Sequence, residues 1–331
     1  MRRNIIQFVL LAALLALTWM QSPRPARVRG FEVSIEPQAL PATDVLARSL
    51  GPFRLDGAWV LSSPSGRFGG YSALLPMGKG QLLAFSDGGK WMRFSPPGAP
   101  PGPLTDGGLL RERGASKESR DVESATRDPA TGRIWLGIEG SNSVARLSPR
   151  LKTEGLVDPP AIRGWGINTG PEAMTRLSDG RFVLLRETFK GWFQEVRHDA
   201  VLFAGDPVEA PASGVHFSVD GPDHFMATDM AQLPDGRLLV LFRRLIWPMP
   251  QRFAGRIAIG DPAKIEAGKP WRLTEVARLS SSLPIDNFEG LAIRPGPGRR
   301  VSVWLISDDN ISNFQRTLLW KLSVDPADLP Y

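Results

Sequence analysis

The chain of 331 residues contains no cysteine. That excludes disulfides, thiolate metal sites, a cysteine nucleophile and a lipid-attachment cysteine. It leaves export open, because proteins without disulfides also fold in oxidising compartments. Histidine is scarce, with His198, His216 and His224 the full set. No HExxH or other histidine-ligand spacing occurs, GxSxG is absent, and nothing nominates the serine of a Ser–His–Asp triad. Each histidine reads as a hydrogen-bonded loop residue. Helical periodicity is missing beyond the amino terminus. The excess of positive charge is thinner than the formal +6 suggests: Arg2, Arg3, Arg24, Arg27 and Arg29 supply five charges before residue 31, where no acid lies. The remaining balance, about +1, gives no reason to expect nucleic acid as a partner.

What is present begins with an apolar segment. Arg2 and Arg3 precede the run Ile5 to Met20, which is short for a membrane span and long enough for the core of an export signal. The following TWMQSPRP is a poor cleavage site, so residues 1–21 read as a signal peptide or a membrane anchor. The expected location is periplasmic or secreted, tethered to the inner membrane if the segment stays uncleaved, with no other membrane contact. Residues 22–50 read as a Pro/Arg-rich linker with one strand at Phe31 to Ile35, and 51–331 as a single domain.

Gly 34 and Pro 30 make turns frequent in that domain, and 42% hydrophobic residues allow a sizeable core. A pattern recurs along it, at residues 67–94, 121–147, 170–192, 227–245 and 286–322. Each unit has a short segment holding a polar or acidic residue, a turn such as ATGR, SDGR or PDGR, and a strongly apolar strand that ends in charge. Aligned on the first polar position, Ser72, Glu123, Glu172, Asp229 and Glu289 are separated by 51, 49, 57 and 60 residues. Such a period, with several short strands per repeat, predicts an all-β fold: a single β-propeller of five or six blades. Six are preferred, the sixth drawn from residues 191–226, although those strands also suit the outer edge of a neighbouring blade. Val196 to Phe203 and Trp271 to Leu279 read as outer strands. Phe53 to Ser62 is expected to complete the blade begun by residues 286–324, joining the chain ends and removing open sheet edges.

In a propeller the innermost strands line a central channel, so equivalent positions of distant repeats converge. Glu123, Glu172, Asp229 and Glu289 become a ring, and the ends of the second strands add Asp87, Glu139, Glu187, Asp308 and Asp309. Crowded carboxylates raise one another's pKa unless a cation intervenes. A hard divalent ion, Ca²⁺ by preference, resolves the conflict with six to eight oxygens, to which Asn142, Asn168, Asn287 and Asn310 could add. The plain alternative is that strand-end acids hold turn amides and neighbouring blades. Asp179 and Asp235, in SDGR and PDGR, read as hairpin turn residues. Arg186, Arg243 and Arg244 stand beside the acids, to bind phosphate or carboxylate oxygens or to pair with the acids themselves. The tryptophans, Trp91, Trp135, Trp165, Trp192, Trp247, Trp271, Trp304 and Trp320, read as packing between blades.

FGGYSAL with LLAFSDGGKW, DVESATRD, GPEAM with DGRFVLLRE, ATDMAQLPDGRLLVLFRR, and DNFEGLAI with SDDNISNFQRTLLWKL together resemble the phytase-like domain family, also called esterase-like activity of phytase. The resemblance runs from about Phe53 to Leu322, and Tyr71 departs from the small residue or leucine expected there. It implies an exported bacterial propeller that hydrolyses phosphate or other esters with Ca²⁺. The matching polar positions are Asp87, Glu123, Glu139, Glu172, Glu187, Asp229, Glu289, Asp308, Asp309 and Asn310. The expected roles are catalysis by Glu123, Glu172, Glu289, Arg186 and Arg243. Metal binding is expected from Asp87, Glu139, Glu187, Asp229, Asp308, Asp309 and Asn310. The expected partner is a small ester or phosphorylated substrate. The alternative is a non-catalytic envelope propeller that binds a ligand or a partner protein at the inner membrane.

Overall fold

The computed structural model describes residue 7 and residues 30–109, 121–166, 169–186, 198–248, 251–280, 282–312 and 314–331. Apart from residue 7, the apolar segment expected as signal or anchor lies outside the described residues. No described helix is long and apolar enough to cross a membrane.

Five sheets form, one per repeat unit. Near the amino terminus lie β1 (Ser34–Pro37), a helix α1 (Thr43–Leu50) and β2 (Arg54–Ser62). The first blade is β3 (Tyr71–Pro76), β4 (Leu82–Ser86), β5 (Lys90–Phe94) and β6 (Thr105–Gly108). The second is β7 (Val122–Arg127), β8 (Ile134–Ile138), β9 (Ser143–Leu147) and β10 (Thr153–Val157). The third is β11 (Pro171–Arg176), β12 (Phe182–Arg186), β13 (His198–Phe203) and β14 (Gly214–Asp220). The fourth is β15 (Met226–Gln232), β16 (Leu238–Pro248), β17 (Gln251–Gly260) and, after β18 (Pro270–Arg272), β19 (Thr274–Leu279). The short β18 pairs in parallel with β14 and so belongs to the third sheet. The fifth blade is β20 (Asn287–Pro295), β21 (Val301–Asp308) and β22 (Thr317–Val324), completed by β2 and β1.

The preferred count of six is corrected to five. The segment expected to supply a sixth blade instead gives β13 and β14, which pair with β12 and finish the third sheet. The closure read from the sequence is present, since β2 runs antiparallel to β22. The helix α1, in the stretch read as linker, was not expected; its Leu50 is fully buried in the seam between the fourth and fifth blades.

The second strands are apolar almost throughout, as in LLAFS, IWLGI and VSVWLISD, because each is buried on both faces between neighbouring blades. Five apolar clusters result, one at each seam between adjacent sheets, and these wedges are the core. Trp135, Trp165, Trp271, Trp304 and Trp320 pack there, whereas Trp247 is 56% exposed on the β16–β17 hairpin, a correction to its expected packing role. Trp192 lies outside the described residues. The hairpin turns behave as read: Asp179 accepts from the Arg181 amide and Asp235 from the Arg237 amide. His198 is a fully buried strand residue rather than a loop residue, with Nε2 3.0 Å from the Phe225 carbonyl.

Candidate active site at the carboxylate mouth of the channel

Every innermost strand carries the same irregularity. The register of β3, β7, β11, β15 and β20 against its neighbour shifts at Ser72, Glu123, Glu172, Thr228 and Glu289 respectively. A bulge leaves one residue unpaired and re-aims its side chain. These five are therefore the structurally equivalent positions. Two of them also stitch the ring. Ser72 donates to the Val122 carbonyl and Thr228 to that of Phe288, in each case the residue just before the next blade's bulge. In the second blade Ser124, one place later, donates to Pro171 in the same way.

The fourth blade thus contributes Thr228, not Asp229, to the acid ring. Asp229 is buried, and its carboxylate accepts the amides of Met230 at 2.8 Å and Leu291 at 2.6 Å. It also bonds the Leu74 amide, so it ties together the innermost strands of the fourth, fifth and first blades. Burial pushes its carboxyl well above the usual range, against the pull of these three amides.

The next ring follows from strand pairing. Asp87, Glu139, Glu187, Arg243 and Asp308 each come just after, or at, the end of the second-strand pairing that faces the bulge. Glu187 lies outside the described residues. Arg243 is therefore the fourth blade's counterpart of the acids, with the charge reversed. Its guanidinium reaches Glu289 Oε1 at 3.1 Å and Glu172 Oε1 at 3.7 Å, across both neighbouring seams. Arg186 sits one position earlier than Glu187, and successive strand side chains face opposite ways. It is held by the Thr169 carbonyl, the Thr169 hydroxyl and Asp199, which makes it a brace of the third blade. Asp309 likewise accepts from the Gly70 and Ile311 amides and the Thr317 hydroxyl, locking the fifth blade to the first. Asn310 donates to Gln315, and its amide binds Asp308.

What converges at this mouth is a set of carboxylates around Arg243. Glu123 keeps some surface open to the channel while protein encloses its other sides. Burial pushes its carboxyl well above the usual range, and the charges of Glu172, Glu289, Glu139 and Asp121 push it further. Asp308 is raised by burial and then by Glu289 and Asp87. Glu289 accepts from Asn287 at 2.7 Å, and Glu139 from the Gly170 amide at 3.2 Å. Gly170 is required there: a Cβ would lie 2.7 Å from Glu139 Cγ and 2.9 Å from Asn142 Oδ1.

Within this set, Asp121, Glu123 and Glu139 can each bring one oxygen within 4.8 Å of the others. Calcium holds oxygens at about 2.4 Å, so opposite ligands stand roughly 5 Å apart, and the cluster fits such an ion. The donors are all hard oxygens. Asn142 Oδ1, beside Glu139, is buried with no hydrogen-bond partner among the described residues. Asp121 was missed in the sequence, although it stands two residues before Glu123 in DVESATRD; only its approach to Glu139 on the next strand marks it. Thr228 was missed because the acid beside it drew the alignment.

A family model described as Phytase-like, esterase-like activity of phytase, matches residues 66–311, about three quarters of the chain. No curated protein sequence matches. Among solved structures, hydrazine synthase of Kuenenia stuttgartiensis is similar at 12% identity and a TM-score of 0.39, over 73% of this chain and 57% of that one. Glutaminyl cyclase of Myxococcus xanthus is similar at 13% identity and a TM-score of 0.46, over 82% of this chain and 97% of that one. A chain of a nidogen/laminin complex is similar at 8% identity and a TM-score of 0.46, over 87% of this chain and 97% of that one.

Proposed function

The chain belongs to the phytase-like family, and from that premise we propose that it is an exported, calcium-dependent hydrolase of phosphate or other esters, acting at the carboxylate mouth. The observation that carries this reading is the Asp121, Glu123 and Glu139 cluster, whose oxygens lie within 4.8 Å of one another. Three carboxylates at that distance, one of them raised by burial and by its neighbours, suit a divalent cation better than they suit each other. Calcium bound there would polarise an ester oxygen and acidify a coordinated water.

The remaining residues have separate tasks. Glu172 and Glu289 orient the Arg243 guanidinium between their blades, where it can steady charge on a substrate oxygen. Asp308, raised by burial and by Glu289, is a group of this mouth suited to hold a proton above the ordinary carboxylate range. Arg186, Asp229, Asp309 and Asn310 keep the ring in place. The test is hydrolysis of p-nitrophenyl phosphate and p-nitrophenyl butyrate by the purified chain, with calcium and with EDTA. Calcium-dependent turnover that is lost in Glu139→Gln is expected. No turnover of either ester in either condition would overturn the proposal.

A second reading is favoured by Arg243 itself, which already neutralises part of the ring. In that reading the mouth binds a cation or ligand without turning it over. Calcium raising the melting temperature while both esters stay intact would select it.

A further inference from the structure

The channel has a second mouth, at the far ends of the innermost strands, and it is a cavity of about 750 Å³. Its charge is opposite to that of the first. Lys79, Arg127, Arg176 and Arg294 line it, against the single carboxylate of Asp128. That carboxylate is already committed: it accepts from the Ala130 amide and the Thr131 hydroxyl, and it lies 3.7 Å from Arg176. Asp229, bonded to the amides of Leu74, Met230 and Leu291, which line this cavity, stands between the two mouths.

Arg127 and Arg176 occupy equivalent positions, each ending the innermost strand of adjacent blades. Arg294 is engaged by the Gly80 carbonyl and Arg176 by Leu177. Arg127 is different. It makes no hydrogen bond or ion pair among the described residues, and its Nε is buried without a partner. Across the seam Arg93, on β5 of the first blade, has its Nε in the same condition; burial disfavours the Arg127 charge, Asp128 favours it, and the Arg93 guanidinium repels it more weakly. Two like charges with unmet donors, beside a cavity rich in cations, are satisfied by an oxyanion that takes bidentate hydrogen bonds.

We propose that this second mouth is a binding site for a small polyanion bearing phosphate or carboxylate groups, gripped by Arg127 and Arg176 with Lys79 beside them. The site is independent of the chemistry proposed for the acidic mouth. The experiment is calorimetric titration of the purified chain, in EDTA to keep the acidic mouth free of cations, with pyrophosphate and separately with citrate. Saturable binding that weakens with added salt is expected for at least one of the two, and the preferred anion tells phosphate from carboxylate recognition. Arg127→Gln and Arg176→Gln should each weaken it by about tenfold or more, since each removes a charge-assisted hydrogen-bonding group. Both side chains line a cavity, so circular dichroism should show both variants folded, and either one alone suffices. Absence of saturable binding for both anions overturns the proposal, and so does binding that survives in a folded Arg127→Gln or Arg176→Gln chain.

Discussion

Replacing Glu123 by glutamine isolates the electrostatic tension on which the acidic mouth depends. The substitution keeps the shape and removes the charge. At 4.8 Å and an effective dielectric of about 20, one carboxylate pair repels by about 3.5 kcal/mol. Glu123 meets two such partners, Asp121 and Glu139, so ionising it beside them costs about 7 kcal/mol, and Glu172 and Glu289 add to it. That is comparable to the whole stability of a domain, so Glu123 takes up a proton or a cation instead. Its folded pKa is raised above its unfolded value. Its contribution to stability is therefore complete below the unfolded pKa and is lost as pH rises through the folded pKa. In EDTA the wild-type chain should lose stability relative to Glu123→Gln as the pH rises above the ordinary glutamate range, because the folded pKa lies well above the unfolded one. The loss should approach about 1.4 kcal/mol per pH unit while the group titrates, several degrees of melting temperature in all. Calcium at about 100 times its dissociation constant should restore about 2.7 kcal/mol to the wild type and far less to the variant. Thermal scans at several pH values, with EDTA and with calcium, measure both. Equal pH slopes for the two proteins in EDTA would refute the argument that these carboxylates are held against one another.

Three further outcomes follow from the same contacts. Arg243→Gln leaves the buried Glu172 and Glu289 without their shared cation and should cost about 3–5 kcal/mol by urea unfolding, with part of it recovered in Arg243→Gln/Glu172→Gln. Asp229→Ala strands three buried amides on three blades and should cost about 3 kcal/mol or more, without changing the calcium response of the melting temperature. Arg237 clamps the C-terminal tail through the carbonyls of Pro326, Leu329 and Pro330 and lies over the ring of Tyr331. Arg237→Ala should therefore make residues 326–331 the first site cut in limited proteolysis.

The sequence by itself determined the architecture. Turns at ATGR, SDGR and PDGR and apolar strands such as IWLGI and FVLLR are local properties of the chain, and a polar position every fifty to sixty residues marks them as repeated blades. Closure by Phe53 to Ser62 was legible for the same reason: an unpaired apolar strand at one end matched an incomplete blade at the other. The convergence of Glu123, Glu172 and Glu289 also followed, since repeat position maps onto position around the channel. The tertiary structure decided what spacing cannot carry. A bulge shifts register by one residue, and that shift put Thr228 in the ring and left Asp229 to bind amides. Strand alternation turned Arg186 toward Thr169 and Asp199, while a half-turn of the same logic gave Arg243 the place of an acid. The count of five rather than six was settled by which strand edge β13 and β14 could reach. Asp121 joined Glu139, and Arg93 faced Arg127, only because neighbouring strands and blades brought them together. The first contact depends on strand pairing within one blade and the second on packing across a seam, and neither is fixed by the spacing of the residues along the chain.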